Sequence, residues 1–150
     1  MPDWTKSMEQ TFEYYVVDPG TWCDESQIKD IIQSSIEWDA DADTLGSASF
    51  DVGSVLGECY VRTYLITIQN GIREKFPMGT FLVQTPKSSF DGRYQKVSID
   101  AYTPLLELKE GIPPLGYSIL KNGNVMSNAY KIISENMRAP VIKTASDDKL

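Results

Sequence analysis

Histidine is missing altogether from the 150 residues, and cysteine occurs only at Cys23 and Cys59. Without those ligands a zinc site of ordinary composition is nearly excluded. A Ser or Cys nucleophile likewise has no imidazole to activate it. The two cysteines form no CxxC pair and read as reduced, partly buried thiols. No apolar stretch approaches the roughly 20 residues a membrane helix requires. Met1 to Phe12 lacks the apolar core of a secretion signal, so none is expected. No GxGxxG, P-loop, GxSxG or SxxK string occurs. A basic run is also lacking: 14 Lys and Arg are scattered from Lys6 to Lys149 against 21 acids, for a net charge of −7. An acidic surface repels phosphate backbones and argues against specific nucleic-acid binding.

What is present is a strand former's vocabulary. Hydrophobic residues make up 41% and charged residues 23%, the balance of a folded globular domain. Phe12 to Val17 is aromatic and β-branched and ends at Asp18-Pro19-Gly20, so it reads as a strand closed by a turn. Ser26, Ile28, Ile31 and Ile32 fit a helical face, whereas Ile32, Ser34, Ile36 and Trp38 alternate. The favoured reading is a turn or helical start running into a strand at Ile31 to Trp38. Ala48, Phe50 and Val52 alternate with Ser49 and Asp51 as another strand. Tyr60 to Gln69 meets Asn70-Gly71, the preferred pair of a tight hairpin, and returns through Ile72 to Phe76. Pro77 interrupts pairing, Gly79 to Thr85 resumes it, and a loop with Asp91-Gly92 leads to Tyr94–Ala101, where Val97, Ile99 and Ala101 share a face. Five to seven strands joined mostly by turns predict an antiparallel β-barrel or sandwich.

The last third changes character, with one or two short helices. Thr103-Pro104 opens the first, with Thr as cap and Pro at the first helical position. Gly111 to Gly116 holds Pro113-Pro114 and reads as an extended connection. Ser127 is the expected cap of a second helix with Ala129, Ile132, Ile133 and Met137 on one face, Arg138 at its carboxyl end and Pro140 beyond. The expected division is residues 1–110 as the β domain and 111–150 as a connection and helix that start a second domain or appendage. Ser146 to Leu150 reads as a frayed end.

Asp39, Asp41 and Asp43 are the nearest thing to a metal motif, since alternate carboxylates suit hard cations. Thr44 and Phe50 stand where a calcium loop needs Gly and Glu, so a solvated acidic loop is the better reading. Glu13, Glu37, Glu58 and Glu107 could serve acid–base chemistry, but no spacing singles out a pair. Three Trp, eight Tyr and five Phe could build a sugar platform; more commonly they fill a core and supply an interface. Tyr60, Arg62 and Tyr64 share one face of the strongest strand, opposite Val61 and Leu65, and are the candidate subunit-interface residues.

The run Ser34-Ser35-Ile36-Glu37-Trp38, then Ala48-Ser49-Phe50, then Val61-Arg62-Thr63-Tyr64 resembles the opening domain of siphophage tail-hub proteins, relatives of the baseplate hubs of contractile-tailed phages. Pro77-Met78-Gly79-Thr80-Phe81-Leu82-Val83 is similar to that family's proline- and glycine-led strand. Asp91-Gly92, Val97 to Tyr102, Leu105-Leu106 and the stretch Gly111 to Met137 resemble the segments that come after that strand in the family. The likeness runs over roughly residues 30 to 140 in short pieces. Family members usually continue into further domains, whereas this chain stops soon after its helix.

The resemblance implies a tail-tube-like barrel without cofactor or enzymatic activity, assembled as a ring, a trimer, at the virion tail tip after folding in the host cytoplasm. It would join the tube to the tip, line the DNA channel with an acidic wall, and contact the distal-tail protein, the tape-measure protein and other tail-tip proteins. The alternative from the aromatic content is a carbohydrate- or receptor-binding module of a phage adhesin; an enzyme is the third.

Overall fold

Asn70 and Gly71 adopt φ of 52° and 77°, the left-handed pair that a tight hairpin demands, and they join the two longest strands of the molecule. The computed structural model describes residues 1–54, 56–84, 87–90, 95–111, 118 and 123–143, with backbone alone at 87–90 and 95. Among these lie eight strands: β1 Glu9–Val17, β2 Asp24–Ile28, β3 Ile31–Trp38, β4 Gly46–Val52, β5 Tyr60–Gln69, β6 Ile72–Val83, β7 Lys87–Phe90 and β8 Gln95–Tyr102. Two short helices come after them, α1 Leu105–Glu110 and α2 Val125–Asn136. The expected loop at Asp91-Gly92, most of the Gly111–Gly116 connection and the end from Ser146 lie outside the described residues.

All pairings are antiparallel, in the order β2-β1-β5-β6-β8-β4-β3, with β7 beside β8. β6 meets β8 through only Leu82↔Tyr102 and Val83↔Ala101. At this narrow join the sheet folds over, so that β2-β1-β5-β6 lies on β8-β4-β3. The ring contacts of Tyr14 with Phe50 (5.8 Å) and of Phe50 with Phe81 (6.5 Å) cross between the layers. The result is a mainly antiparallel β sandwich rather than a closed barrel. β2 and β3 end the path at opposite sides, yet only Lys29 and Asp30 separate them in sequence.

Strand alternation places the core. In β4, Ala48, Phe50 and Val52 point inward, and their β8 partners Ala101, Ile99 and Val97 are at most 1% exposed. Val61, Phe81, Val83, Tyr14 and Ile28 close it from the other layer. Gly79 sits where a Cβ would lie 2.8 Å from the Phe81 ring and 3.0 Å from Trp38, so both aromatics rest on bare backbone. One residue earlier, Met78 is the extra residue of a bulge, because Thr63 pairs Gly79 while Tyr64 pairs Pro77. The interruption expected at Pro77 is therefore a bulge within one continuous strand, which tolerates proline on an edge.

Three local expectations are corrected. Asp24–Ile28 is a strand, not a turn or helical start, because its ladder to β1 outweighs local preference. Thr103 does not cap α1: its hydroxyl donates to the Thr44 carbonyl, and Pro104 takes the cap position. Asn124, not Ser127, caps α2, its side-chain oxygen accepting from the Ser127 N–H at 2.8 Å.

Candidate assembly interface

β5 and its neighbours carry the expected interface residues on the outer face of the longer layer. Register puts Tyr60, Arg62 and Tyr64 on that face, with Val17, Tyr15 and Glu13 of β1 and Leu82, Thr80 and Pro77 of β6. Val61 and Thr63, pointing the other way, are fully buried. The parity read from sequence holds, but the face is not open. Tyr60 is only 2% exposed, lying with Val17 and Leu82 under Trp22 and Leu106. Its hydroxyl donates to Glu107, and burial together with that hydrogen bond raises the phenol above its usual range.

Arg62 is held by three partners: Asp24 Oδ1 at 2.9 Å, the Thr80 hydroxyl at 3.1 Å and the Trp22 carbonyl at 3.0 Å. Trp22 presents that carbonyl from a left-handed backbone, φ 57°, fixed by its N–H to Asp18 O at 2.8 Å and its ring 4.9 Å from that of Tyr60. Tyr64 donates to Asp24 Oδ2 at 2.8 Å; burial and this bond raise its phenol as well. Lys75 lies 4.2 Å from the Tyr15 ring centroid and 3.7 Å from that of Tyr64, an ammonium between two π faces. Arg73 pairs Glu13 at 2.7 Å and holds its carboxyl below the usual range. The candidate trio is thus a network satisfied within the chain. Asp24, Trp22 and Lys75, which complete it, were not singled out by sequence.

Charge divides unevenly between the two outer faces. The longer layer sets Glu9, Glu13 and Asp24 against Arg62, Arg73 and Lys75. The shorter layer carries Glu37, Asp51 and Asp100 with Lys96, which meets Asp51 at 2.8 Å. On the shorter layer Glu37, Asp100, three serines and Tyr102 line a shallow polar groove of about 240 Å³.

Two buried hydroxyls among the described residues, Thr63 Oγ1 and Thr67 Oγ1, lack a hydrogen-bond partner, and so does backbone along the sheet edges. Among the described residues, the outer edges of β2, of β3 and of β6 from Ile72 to Thr80 have no strand partner. Each is a row of alternating donors and acceptors ready to extend a sheet. β3 is the least guarded, with Glu37 its one charged residue and Ile32 bulged outward at 64% exposure. Trp38, 56% exposed, ends it beside an apolar trough of about 380 Å³ that Trp22, Leu45, Leu105 and Met137 also line.

The remaining candidates do not converge. Asp39 accepts from the Asp41 N–H at 2.9 Å while Asp43 pairs Lys109 at 2.8 Å, which lowers its carboxyl's pKa. Among the described residues no three acids or cysteines stand together as a metal site. Glu58 and Glu107 do meet, but on Arg138 rather than in a cleft. Cys23 and Cys59, both free, precede strands on opposite sides of β1. About two strand spacings, roughly 9–10 Å, separate their backbones, beyond the reach of a disulfide. Among the described residues no helix is long and apolar enough to cross a membrane. No family model matches the chain, and no curated protein matches it.

Proposed function

We propose that this chain is a non-enzymatic assembly subunit, a tail-tip hub component of a bacteriophage, that joins copies of itself and neighbouring tail proteins through its open sheet edges. The observation that carries the reading is the unfinished sheet: a folded strip whose edges at β2, β3 and β6 end without partners among the described residues. A head-to-tail contact between different edges closes into a ring when its rotation allows, and covers backbone groups that a lone copy leaves exposed. The resemblance of Ser34–Trp38, Val61–Tyr64 and Pro77–Val83 to hub proteins supports a trimer as that ring, with the distal-tail and tape-measure proteins as neighbours. The acidic outer face of the shorter layer is the surface suited to a channel that passes DNA without retaining it.

A carbohydrate-binding module is less well supported. Its two ingredients lie apart: Glu37 and the polar groove face outward from β3, while Trp38 points to the other side. Tyr102 is the one aromatic in the polar groove.

The test is the mass of the purified protein by light scattering across a concentration series. The proposal expects about 50 kDa, three copies of the 16.8 kDa chain, rising from smaller species on concentration. A second preparation with Ile32→Lys and Ser35→Lys, exposed positions that set charges along the β3 edge while leaving its ladder to β4 intact, should stay at one copy. A wild-type protein that remains a single copy throughout contradicts the reading.

A further inference from the structure

We infer that Met137–Pro140 form a releasable strap, which together with α2 leaves and rejoins a β sandwich that stays folded, removing one wall of the tryptophan-lined trough as it leaves. This inference is independent of the proposed function.

α2 has an apolar face yet buries none of its residues. Its chain leaves the helix extended at Met137, φ −122° and ψ 136°. The next residue makes the attachment. The Arg138 N–H donates to Glu107 Oε2 at 2.9 Å, its Nε to Glu107 Oε1 at 3.0 Å, and its Nη2 to Glu58 Oε1 at 3.0 Å. The guanidinium also lies 5.8 Å from the Tyr60 ring centroid. Glu107, 9% exposed, is the junction, because Tyr60 of β5 donates to the same carboxylate from the core side. Beyond Arg138, Ala139 is 8% exposed, and with Met137 and Pro140 it walls the trough opposite Trp22, Trp38 and Leu45. Trp22 and Leu45 both hold left-handed backbones, φ 57° each, so the wall of the trough facing the strap is built from fixed, strained positions.

Apart from Ala139 the attachment is polar, with Arg138 and Glu58 facing solvent and Glu107 largely buried. The Arg138 and Glu58 side chains are 58% and 68% exposed. Ion pairs of that kind are weak, and a segment held by them opens locally far more often than the whole domain unfolds. The strands beneath are fixed by buried apolar contacts that the strap does not share.

Amide hydrogen exchange read by mass spectrometry tests this on the full chain. In the wild type, residues 125–143 should exchange as one group, faster than β4, β5 and β8. Arg138→Ala should speed that group about tenfold further and leave the strands unchanged. Glu58→Gln, which loses only the exposed contact, should speed it about twofold. In a Trp4→Phe background, acrylamide should quench the remaining tryptophans more readily once Arg138 is removed. The inference is overturned if Arg138→Ala leaves 125–143 unchanged. It is equally overturned if helix and strands accelerate together, because the strap would then be part of one cooperative core.

Discussion

The two ends of the chain are stabilised by different physics. From β1 to β8, side chains such as Phe50, Val61, Phe81, Val97 and Ile99 are at most 1% exposed and interlock across two layers. From Leu105 onward neither helix has a buried residue, and the polar junction of Glu107 with Arg138 holds the last described turn to the sheet. Apolar burial is worth roughly 25 cal/mol per Å², whereas exposed ion pairs give ~1 kcal/mol or less and are screened by salt. The contrast teaches that the sheet sets global stability, while the C-terminal third sets what is uncovered and when.

The strongest way to break that contrast is to truncate matched apolar residues. Phe81→Ala should lower unfolding stability by about 3–5 kcal/mol, since it empties a site packed by Phe50, Trp38 and Gly79. Ile132→Ala in α2 should cost less than about 1 kcal/mol. Urea denaturation of the two variants decides it; similar losses would erase the distinction.

A smaller loss is expected from adding an atom rather than removing several. Gly79→Ala places a Cβ 2.8 Å from Phe81 and 3.0 Å from Trp38. The overpacking should cost about 1–3 kcal/mol, with a blue or red shift in tryptophan emission as the Trp38 ring moves. An unchanged melting curve and spectrum would mean that the two rings are not seated on the backbone there.

The smallest effect sharpens the junction between the two regions. Burial first, then its hydrogen bond to Glu107, raise the Tyr60 phenol above the ordinary 10.0. A phenol is neutral when protonated, so the folded state retains this proton more tightly than the unfolded chain. The resulting stability is fully present below pH 10 and is lost as the pH climbs from 10 through the folded value. Tyr60→Phe should therefore show a shallower alkaline decline, while losing about 1 kcal/mol at neutral pH with the hydroxyl. Tyr15 and Tyr64, also raised, leave a residual decline in both proteins. Superimposable stability–pH curves above pH 10 would place the alkaline transition elsewhere.

Much of the sheet was legible because its signals are local. Asn70-Gly71 dictates a hairpin through backbone conformation alone, and alternation in Ala48–Val52 and Val97–Ala101 marks the inward residues. Less legible was anything decided by partners distant in sequence. Asp24–Ile28 becomes a strand only because β1 lies beside it, and that strand delivers Asp24 to Arg62 and Tyr64. The face of Tyr60, Arg62 and Tyr64 was assigned correctly by parity, but its cover comes from residues 38 to 46 positions away and could not be read from strand periodicity. Arg138 reads in sequence as a helix-end charge; its partners stand 31 and 80 residues earlier. The unfinished edges were legible only as a count of strands, since which edges stay open is a property of the completed order.

The measurement closest to the central claim is amide exchange of Ile31–Trp38 and Ile72–Thr80 at low and at high protein concentration. If these edges join copies, their outward amides gain protection as the protein is concentrated, while β5, already paired on both sides, does not change. Edges that exchange equally fast at every concentration, in a protein whose mass nonetheless rises, would contradict edge pairing and move the interface to another surface.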